Sequence, residues 1–275
     1  MTKTVLITGC SSGIGRATAE AFLADEWSVW ATARDPADVA DLGEQGCETA
    51  ELDVTDADEC EAVVEEIVEV DGRIDCLVNN AGYAQYGPME DVPTDALHDQ
   101  MDANLYGPHR LTRAVLPHMR ERGDGTVVNV SSVTGRLAVP GNGAYAASKF
   151  GLEAMSDAIR AELDEFGLDV VLVEPGPVAS EFGENALSTL DRTERSEAYQ
   201  WYYDNYEDAS TLSRSTPFTL DPPEVATVIH DAAVATDPEP RYPVGQVARV
   251  AGLAELLPGR LRDLAFRGIR KVVRD

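Results

Sequence analysis

The chain has 275 residues, and its formal net charge of −27 argues against nucleic acid or an anionic membrane as a partner. No apolar run has membrane length and the first residues lead directly into a predicted strand, so we expect a cytoplasmic protein with no signal peptide and no membrane insertion. The four Cys and four His residues lack metal-ligand or redox spacing, which predicts reduced thiols and no metal site.

A strand, a glycine-rich loop and a helix open the chain. Residues 4–8 form an apolar, β-branched run typical of a buried strand, and residues 16–23 have the periodicity of an amphipathic helix. Glycines between them allow a tight turn and let backbone N–H groups approach a pyrophosphate at the helix N-terminus. This context favours a dinucleotide-binding loop over a plain glycine-rich turn.

The end of the second predicted strand, residues 29–33, bears on cofactor choice. Proteins that prefer NAD usually place an acidic residue here to bind the ribose hydroxyls, whereas this chain has Arg34. A guanidinium suits a 2′-phosphate, and Arg16 could assist it. Asp35 could instead turn towards a ribose, and Arg34 could be a solvated loop charge. We favour NADP and keep NAD as the alternative.

Two further β-α units follow, with strands predicted over residues 49–54 and 74–78 and a helix over 57–70. Asp53 lies at the first strand's end, near where adenine would sit, although it could also cap the next helix. The second strand precedes Asn79-Asn80-Ala81-Gly82, which suits a backbone kink against a cofactor. Repeated β-α units with short loops predict a parallel, doubly wound sheet that binds ligands beyond its carboxyl-terminal strand ends.

Two polar residues come next. Asn104 lies in a helical segment predicted over 94–122, where a buried amide needs hydrogen-bond partners. It is either structural, in a helix that Gly107 and Pro108 bend away from ideal geometry, or the residue that holds an ordered water. Ser132 follows a strand predicted over 126–131. Its hydroxyl could bind a substrate oxygen, or it could be an ordinary turn residue.

Tyr145 and Lys149 are four residues apart at the start of a helix predicted over 145–166. Residues at i and i+4 share one helix face. An ammonium beside a phenol favours the phenolate, so Lys149 is expected to lower the pKa of Tyr145. A general acid/base at a carbonyl or carbinol oxygen needs such a shift. Alone, the spacing also fits a surface pair on a helix.

A sixth strand is predicted over residues 169–174, before Pro175-Gly176-Pro177-Val178. The chain thus carries, in order, Thr8-Gly9-x-x-x-Gly13-x-Gly15, Asp53-Val54, Asn79-Asn80-Ala81-Gly82, Asn104, Ser132, Tyr145-x-x-x-Lys149 and Pro175-Gly176. Over residues 3–180 this set resembles the short-chain dehydrogenase/reductase family, and the overall pattern is similar to its steroid- and retinol-dehydrogenase-like branch. The resemblance implies an α/β protein with a three-layer, doubly wound Rossmann fold and a seven-stranded parallel sheet.

The resemblance also implies a catalytic set. Tyr145 would donate or accept the proton and Ser132 would steady the substrate oxygen. Lys149 would bind the nicotinamide ribose and lower the tyrosine pKa, and Asn104 would hold a water that links Lys149 to solvent.

A cofactor-binding set is implied in the same way. Val178 and Ser180 fall where the family contacts the nicotinamide carboxamide, with Ser180 in place of the family's threonine, and the Arg34 position resembles NADP-preferring members. The full set is Gly9, Ser11, Ser12, Gly13, Ile14, Gly15, Arg34, Asp53, Val54, Asn80, Ala81, Gly82, Tyr145, Lys149, Pro175, Gly176, Val178 and Ser180.

Residues 179–220 break the regular pattern within what we take to be one domain over residues 1–275. They carry an aromatic cluster, Tyr199, Trp201, Tyr202, Tyr203 and Tyr206. In the family this segment closes over the substrate, so it is either a flexible lid or a surface helix whose aromatic residues are buried against the body or a neighbouring subunit. An aromatic lid would suit a bulky, apolar alcohol or ketone.

The remaining residues contain a predicted helix over 222–235, a seventh strand over 241–245, and a helical extension over about 247–275. The extension carries Arg249, Arg260, Arg262, Arg267, Arg270 and Arg274. In so acidic a protein these residues are expected to pair with acids within or between subunits. A basic helix on a membrane surface is the alternative.

The acidic residues are spread along the whole chain, and lysine occurs only at positions 3, 149 and 271. This pattern suggests adaptation to high salt, because the Debye length falls to about 3 Å at 1 M and screens the charge. We therefore hypothesise a halophilic, archaeal source. The free energy of unfolding is expected to rise steeply towards molar KCl, and full stability at low salt would contradict the hypothesis.

The leading hypothesis for function is an NADP-preferring oxidoreductase that acts on an alcohol or carbonyl substrate, as a homodimer or homotetramer. A non-catalytic dinucleotide-binding regulator on the same fold is the alternative, although such proteins usually lose the tyrosine or the lysine. An epimerase or dehydratase would need a sugar-nucleotide site, which the sequence does not reveal.

Overall fold

The computed structural model describes residues 2–204, 218–255, 258–261 and 263–264. Its centre is a seven-stranded parallel sheet with the strand order β3-β2-β1-β4-β5-β6-β7. The strands are β1 (Thr4–Thr8), β2 (Ser28–Ala33), β3 (Glu48–Glu51), β4 (Cys76–Asn79), β5 (Gly125–Val130), β6 (Leu168–Pro175) and β7 (Arg241–Val244). The predicted seven-stranded, doubly wound fold is confirmed.

The α-helices whose bounds are assigned lie between and after these strands. They are α1 (Gly13–Ala24), α2 (Ala40–Gln45), α3 (Ala57–Asp71), α4 (Thr94–Met101), α5 (Gly107–Arg122), α6 (Gly143–Leu163), α7 (Phe182–Ser188), α8 (Pro222–Val234) and α9 (Gly245–Glu255). Short 3₁₀ segments at Pro36–Val39, Val133–Gly135, Asp164–Phe166, Thr189–Arg192 and Glu197–Tyr199 complete the described elements.

Side-chain alternation along the strands builds two apolar cores. Val5 and Ile7 of β1 face α1, α2 and α8, whereas Leu6 faces α3 and α5. β4, β5 and β6 divide their side chains between the same two cores. Because successive residues of a strand point to opposite faces, continuous apolar strands produce a three-layer sandwich.

The strand order reverses at β1, which pairs with β2 on one side and β4 on the other. In a doubly wound sheet the loops beyond this point separate and leave a crevice at the carboxyl-terminal edge. The loops after β1 and β4 carry the glycine-rich motif and the Asn79–Gly82 motif. Strand order therefore brings both motifs to the same edge.

The helix predicted over residues 94–122 is interrupted. A π-helical turn at Asp102–Tyr106 separates α4 from α5 and contains Asn104. Its neighbour Gly107 packs against Val54, where a β-carbon would lie 2.9 Å from the valine Cβ and Cγ2. Single π turns inside helices often occur at functional sites, and this one turns a polar residue towards the core.

The sequence led to expectations about the cysteines, a metal site and membrane-spanning helices. The four cysteines are buried and unpaired, and within the described part of the chain no cluster of acidic, His or Cys residues is placed to hold a metal ion. No helix among the described residues is long and apolar enough to cross a membrane. Tyr206, Arg262, Arg267, Arg270 and Arg274 lie outside the described residues.

Candidate active site

The loop between β1 and α1 is packed so tightly that its glycines are required. A β-carbon on Gly15 would lie 2.1 Å from the carbonyl oxygen of Gly9, and one on Gly9 would lie 2.9 Å from Cα of Ala81. Gly9 and Gly13 also have φ of +72° and +57°, a region that favours glycine. With no side chains in the way, the backbone itself forms the surface at the α1 N-terminus.

Asn80 and Thr8 join this loop to the end of β4. Asn80 Nδ2 donates to the carbonyl oxygens of Thr8 and Gly9 at 2.9 and 3.1 Å. Thr8 Oγ1 accepts from the N–H groups of Asn80 and Ala81 at 3.0 and 2.9 Å. The two loops at the strand-order reversal are therefore held as one unit, as the predicted kink after β4 requires.

Ser11 and Ser12 precede α1, and their side chains make no hydrogen bond within the described residues. Ser12 is the N-cap residue, yet its hydroxyl does not cap the helix. Ile14 is half-buried and packs on the core behind the loop. The two serine hydroxyls are thus available to a ligand at the α1 N-terminus.

Arg34 follows β2 at the same edge of the sheet. It is exposed, and among the described residues it has no hydrogen-bond or ion-pair partner. Asp35 instead accepts a hydrogen bond from the N–H of Ala37 at 2.9 Å and caps a 3₁₀ segment. Arg16 is held by Asp41 and by the carbonyl oxygen of Asp38. Of the three charged residues considered for the ribose end, Arg34 alone has an uncommitted side chain.

Asp53 lies half-buried just after β3, next to the buried Val54. One carboxylate oxygen accepts from the N–H and hydroxyl of Thr55 at 2.9 and 2.7 Å. Asp56, and not Asp53, caps α3. The alternative role of Asp53 as a helix cap is therefore replaced by a local turn, and its contact with an adenine stays a prediction.

Tyr145 projects from the first turn of α6 into a buried position beside Ser132 and Thr134. Ser132 and Thr134 hydroxyls lie 2.7 Å apart, and the N–H of Thr134 donates to Ser132 Oγ at 3.2 Å. Hydrogen bonding from both hydroxyls lowers the pKa of Tyr145, but burial outweighs it and raises the pKa above its ordinary value. The structure thus brings Ser132 and Tyr145 together, as the sequence predicted.

Lys149 lies one turn further along α6 and is 5% exposed. Its Nζ donates to the carbonyl oxygen of Val130 at 2.7 Å and lies 5.9 Å from the centre of the Tyr145 ring. Burial lowers the pKa of Lys149 to about 8, and the charge of Glu153 opposes this. In this structure burial of the phenol decides the direction of the Tyr145 pKa shift, and the lowering expected from Lys149 stays a prediction.

Asn104 is fully buried, and its side chain has hydrogen-bond partners on three sides. Its Oδ1 accepts from the N–H of Tyr83 at 3.1 Å, and its Nδ2 donates to the Tyr83 carbonyl at 2.9 Å. Nδ2 also lies 3.2 Å from Ser148 Oγ, which donates to the carbonyl oxygen of Tyr145. Asn104 therefore fixes the loop after β4 and the first turn of α6 relative to each other.

The loop after β6 closes the other side of the crevice. Gly176 donates its N–H to the carbonyl oxygen of Val244 at 3.0 Å. Val178 forms an isolated parallel bridge with Leu220. Ser180 reaches the glycine loop, since a β-carbon on Gly13 would lie 3.3 Å from its Cβ. Pro175, Gly176, Val178 and Ser180 thus line the path from β6 to the loop after β1.

The described part of the segment after Pro175-Gly176, residues 179–204, is docked against the loop that follows β4. The Tyr203 hydroxyl donates to Asp91 Oδ2 at 2.6 Å, and Gln85 Nε2 donates to the Thr189 carbonyl at 3.0 Å. At the start of the segment, Ala179 donates its N–H to the carbonyl oxygen of Leu220 at 2.9 Å. We call residues 179–204 the docked lid.

The docked lid places aromatic rings near Tyr145. The Phe182 and Tyr145 ring centroids are 5.7 Å apart. A cleft of about 210 Å³ lies between the docked lid and the loops before α4 and α6. Its lining residues are Pro88, Met89, Val139, Pro140, Gly141, Gly143, Tyr199, Trp201 and Tyr202. Tyr203 is buried against the body, as one of the two alternatives for the aromatic cluster predicted, and contact of the other rings with a substrate stays a prediction.

Comparison with known proteins decides the family. A family model described as short chain dehydrogenase matches residues 3–191. The chain belongs to the short-chain dehydrogenase family. It is accordingly an oxidoreductase of that family, and the resemblance inferred from the motif order is confirmed.

Relatives of this dehydrogenase include human 17-beta-hydroxysteroid dehydrogenase type 1, which is 37% identical over 86% of this chain and 76% of its own. A short-chain dehydrogenase structure from Streptomyces avermitilis matches with a TM-score of 0.84 and 35% identity, over 98% of both chains. The closed form of a serine dehydrogenase, solved with NADP+, matches with a TM-score of 0.78 and 25% identity, over 89% of this chain and 95% of its own.

Sequence reasoning about this dehydrogenase missed three contributors to the site. The Thr134 hydroxyl forms a hydrogen bond with the Ser132 hydroxyl, and the Phe182 ring lies against the Tyr145 ring. The charge of Glu153 raises the pKa of Lys149. Thr134 lies two residues after a strand-end serine, a spacing typical of a side-chain turn. Glu153 lies four residues after Lys149, so the i+4 rule used for Tyr145 also marked it. Phe182 had no such signal, because its position depends on how the docked lid packs.

Proposed function

We propose that this protein transfers a hydride between a nicotinamide dinucleotide and an alcohol or carbonyl substrate, with Tyr145 as general acid/base. The observation that carries the proposal is the buried Tyr145 phenol beside the Ser132 and Thr134 hydroxyls, at the same sheet edge as the glycine loop. A substrate oxygen placed there meets a proton donor and two hydroxyls at once.

The residues of this edge fit a dinucleotide. The glycine loop offers backbone where side chains would obstruct, and the α1 N-terminus favours an anionic pyrophosphate. Ser11, Ser12 and Ser180 would bind polar groups along it. When bound, the nicotinamide supplies or accepts the hydride.

The chain's own residues would handle the proton. Tyr145 would give its proton to a carbonyl oxygen or take one from an alcohol, and Ser132 would hold that oxygen in line with the phenol. The Lys149 ammonium would bind the ribose hydroxyls and add positive charge beside the phenol. Asn104 would keep α6 and the loop after β4 in register, because it bridges Tyr83 and Ser148.

NADP is the proposed cofactor because Arg34 is uncommitted while Asp35 is engaged as a cap. We expect Arg34→Ala to weaken NADPH binding about 10- to 100-fold, since hydrogen bonds to a charged phosphate contribute about 1.5–3 kcal/mol. NADH binding should change little. Titration of both cofactors by tryptophan fluorescence measures this. Arg113→Ala, which removes an exposed arginine from α5, controls for net charge, and a parent that prefers NADH contradicts the assignment.

The proposed substrate is bulky and apolar, because aromatic and apolar side chains line the cleft between the docked lid and the loops before α4 and α6. A panel of alcohols and ketones of graded size, assayed with both cofactors in molar KCl, tests the proposal. Turnover should rise with apolar bulk. Dinucleotide binding without turnover of any panel member would favour the regulator on the same fold. The cytoplasmic location and the homodimer or homotetramer stay predictions.

A further inference from the structure

Lys149 is a buried cation without a direct ionic partner. Its Nζ has the Val130 carbonyl as its hydrogen-bond acceptor, and among the described residues it forms no ion pair. Because burial disfavours the charged form, the pKa of Lys149 falls to about 8. An ammonium that must bind ribose hydroxyls is therefore close to losing its proton at mildly alkaline pH.

Glu153 is the carboxylate placed to oppose this loss. It lies one helical turn after Lys149 on α6, is 6% exposed, and packs against Gly135 in the loop that carries Ser132. Its Oε2 accepts from Arg241 Nε of β7 at 3.1 Å. Its Oε1 is buried and has no hydrogen-bond partner among the residues that the structure describes. The Glu153 carboxylate is thus bound to Arg241 through Oε2, while Oε1 accepts no hydrogen bond from the described residues.

Other charged groups face Glu153 from each neighbouring element. Arg241 also lies 3.5 Å from Glu174 of β6, and Arg136, after the Ser132 loop, lies 2.9 Å from Glu174. Further along α6, Asp157 pairs with Arg241 at 2.6 Å and with Arg160 at 2.7 Å. Among these groups Glu153 is the one that raises the Lys149 pKa.

We propose that Glu153 is a positioning residue that keeps the buried Lys149 in its ammonium form, and that Arg241 of β7 holds the Glu153 carboxylate in place for this purpose. The proposal rests on the proposed function, since it concerns the state of Lys149 in dinucleotide binding. It links the catalytic helix to the last strand of the sheet, far along the sequence from the motifs. A neutral residue of the same shape at position 153 would remove the counter-charge and leave the packing.

The direction of the effect follows from the sign of the charge. Burial lowers the Lys149 pKa and the Glu153 carboxylate raises it, so removing the carboxylate lowers the pKa further. The ammonium is then lost at a lower pH. NADPH affinity in Glu153→Gln should match that of the parent at about pH 6 and fall about tenfold below it at pH values above about 8.

The test is the dissociation constant of NADPH against pH, measured by tryptophan fluorescence in molar KCl, with kcat/KM profiles for any substrate found. Asp157→Asn is the matched control, because it removes a different carboxylate from Arg241 one turn further from Lys149. The loss of NADPH affinity at alkaline pH should occur over the same pH range in Asp157→Asn as in the parent. Glu153→Asp, which keeps the negative charge, should recover most of the NADPH affinity that Glu153→Gln loses at alkaline pH.

Two results would overturn the proposal. Glu153→Gln could weaken NADPH binding equally at every pH, with a lowered melting temperature, which a purely structural role predicts. Glu153→Gln and Asp157→Asn could also lower NADPH affinity at alkaline pH to the same extent, which would assign the effect to Arg241 alone. A parent that binds no dinucleotide at any pH would instead refute the proposed function, so the two failures are distinguishable.

Discussion

Tyr145→Phe is expected to reduce kcat by about 10²- to 10⁴-fold, the usual contribution of a positioned general acid/base. The substitution removes one oxygen from a side chain that is 7% exposed and leaves the ring against Phe182. The Ser132 and Thr134 hydroxyls can still bond to each other, so the polar groups left behind keep partners. Dinucleotide affinity and melting temperature should therefore stay close to the parent's.

Steady-state kinetics on the best substrate of the panel, with NADPH titrations on both proteins, measures the effect. Tyr106→Phe is the matched control, since it removes the same hydroxyl from a tyrosine that is 42% exposed at the end of the π turn. It should behave as the parent does. If Tyr145→Phe keeps parental turnover across the panel, the proton step does not pass through Tyr145 and the proposed mechanism is wrong.

The sheet and the position of the motifs could be predicted from the sequence because they depend on local patterns. Apolar β-branched runs predict strands, and their alternation with amphipathic helices predicts a parallel sheet. Carboxyl ends of parallel strands meet at one edge, so Gly9, Asn80 and Ser132 had to lie near one another whatever the details of packing. Tyr145 joined them because its helix begins at that same edge.

The electrostatics of the site could not be predicted in this way. The i+4 spacing places Lys149 near Tyr145, but it does not reveal how deeply either is buried, and burial raises the pKa of Tyr145. A departure from ideal helix near Asn104 was expected, but its form, a π turn at Asp102–Tyr106, was not. The sequence marks Asn104 as a buried amide that needs partners, whereas those partners, Tyr83 and Ser148, lie in other segments of the chain.

The docked lid illustrates a second limit. Its aromatic residues indicated burial or substrate contact, but the choice for each ring depends on partners distant in sequence. Asp91 holds Tyr203 against the body, while Gly141 leaves room for Tyr202, whose ring would lie 2.0 Å from a β-carbon there. No pattern within residues 179–220 encodes these contacts. Sequence reasoning therefore located the segment and left its arrangement open.

Gly15→Ala is expected to abolish useful dinucleotide binding, with NADPH affinity lowered at least about 100-fold. The new β-carbon would lie 2.1 Å from the Gly9 carbonyl oxygen and 2.5 Å from Asn80 Nδ2. Both atoms belong to the unit that joins the loops after β1 and β4, so neither can move without breaking the hydrogen bonds of Asn80. A displacement of about 1 Å in a positioned site commonly costs about 10²-fold.

Gly183→Ala separates this effect from the general consequence of adding a methyl group. Gly183 lies in α7, and outside its own helix no atom of the described residues lies within 4 Å of its hypothetical β-carbon. Alanine there should therefore leave NADPH binding unchanged and stabilise the helix by about 0.5–1 kcal/mol. Gly15→Ala should instead lower stability by about 1–3 kcal/mol through overpacking. Circular dichroism melts and NADPH titrations compare the two. Parental affinity in Gly15→Ala would mean that the dinucleotide does not approach the backbone of this loop, and the site would have to lie elsewhere at the sheet edge.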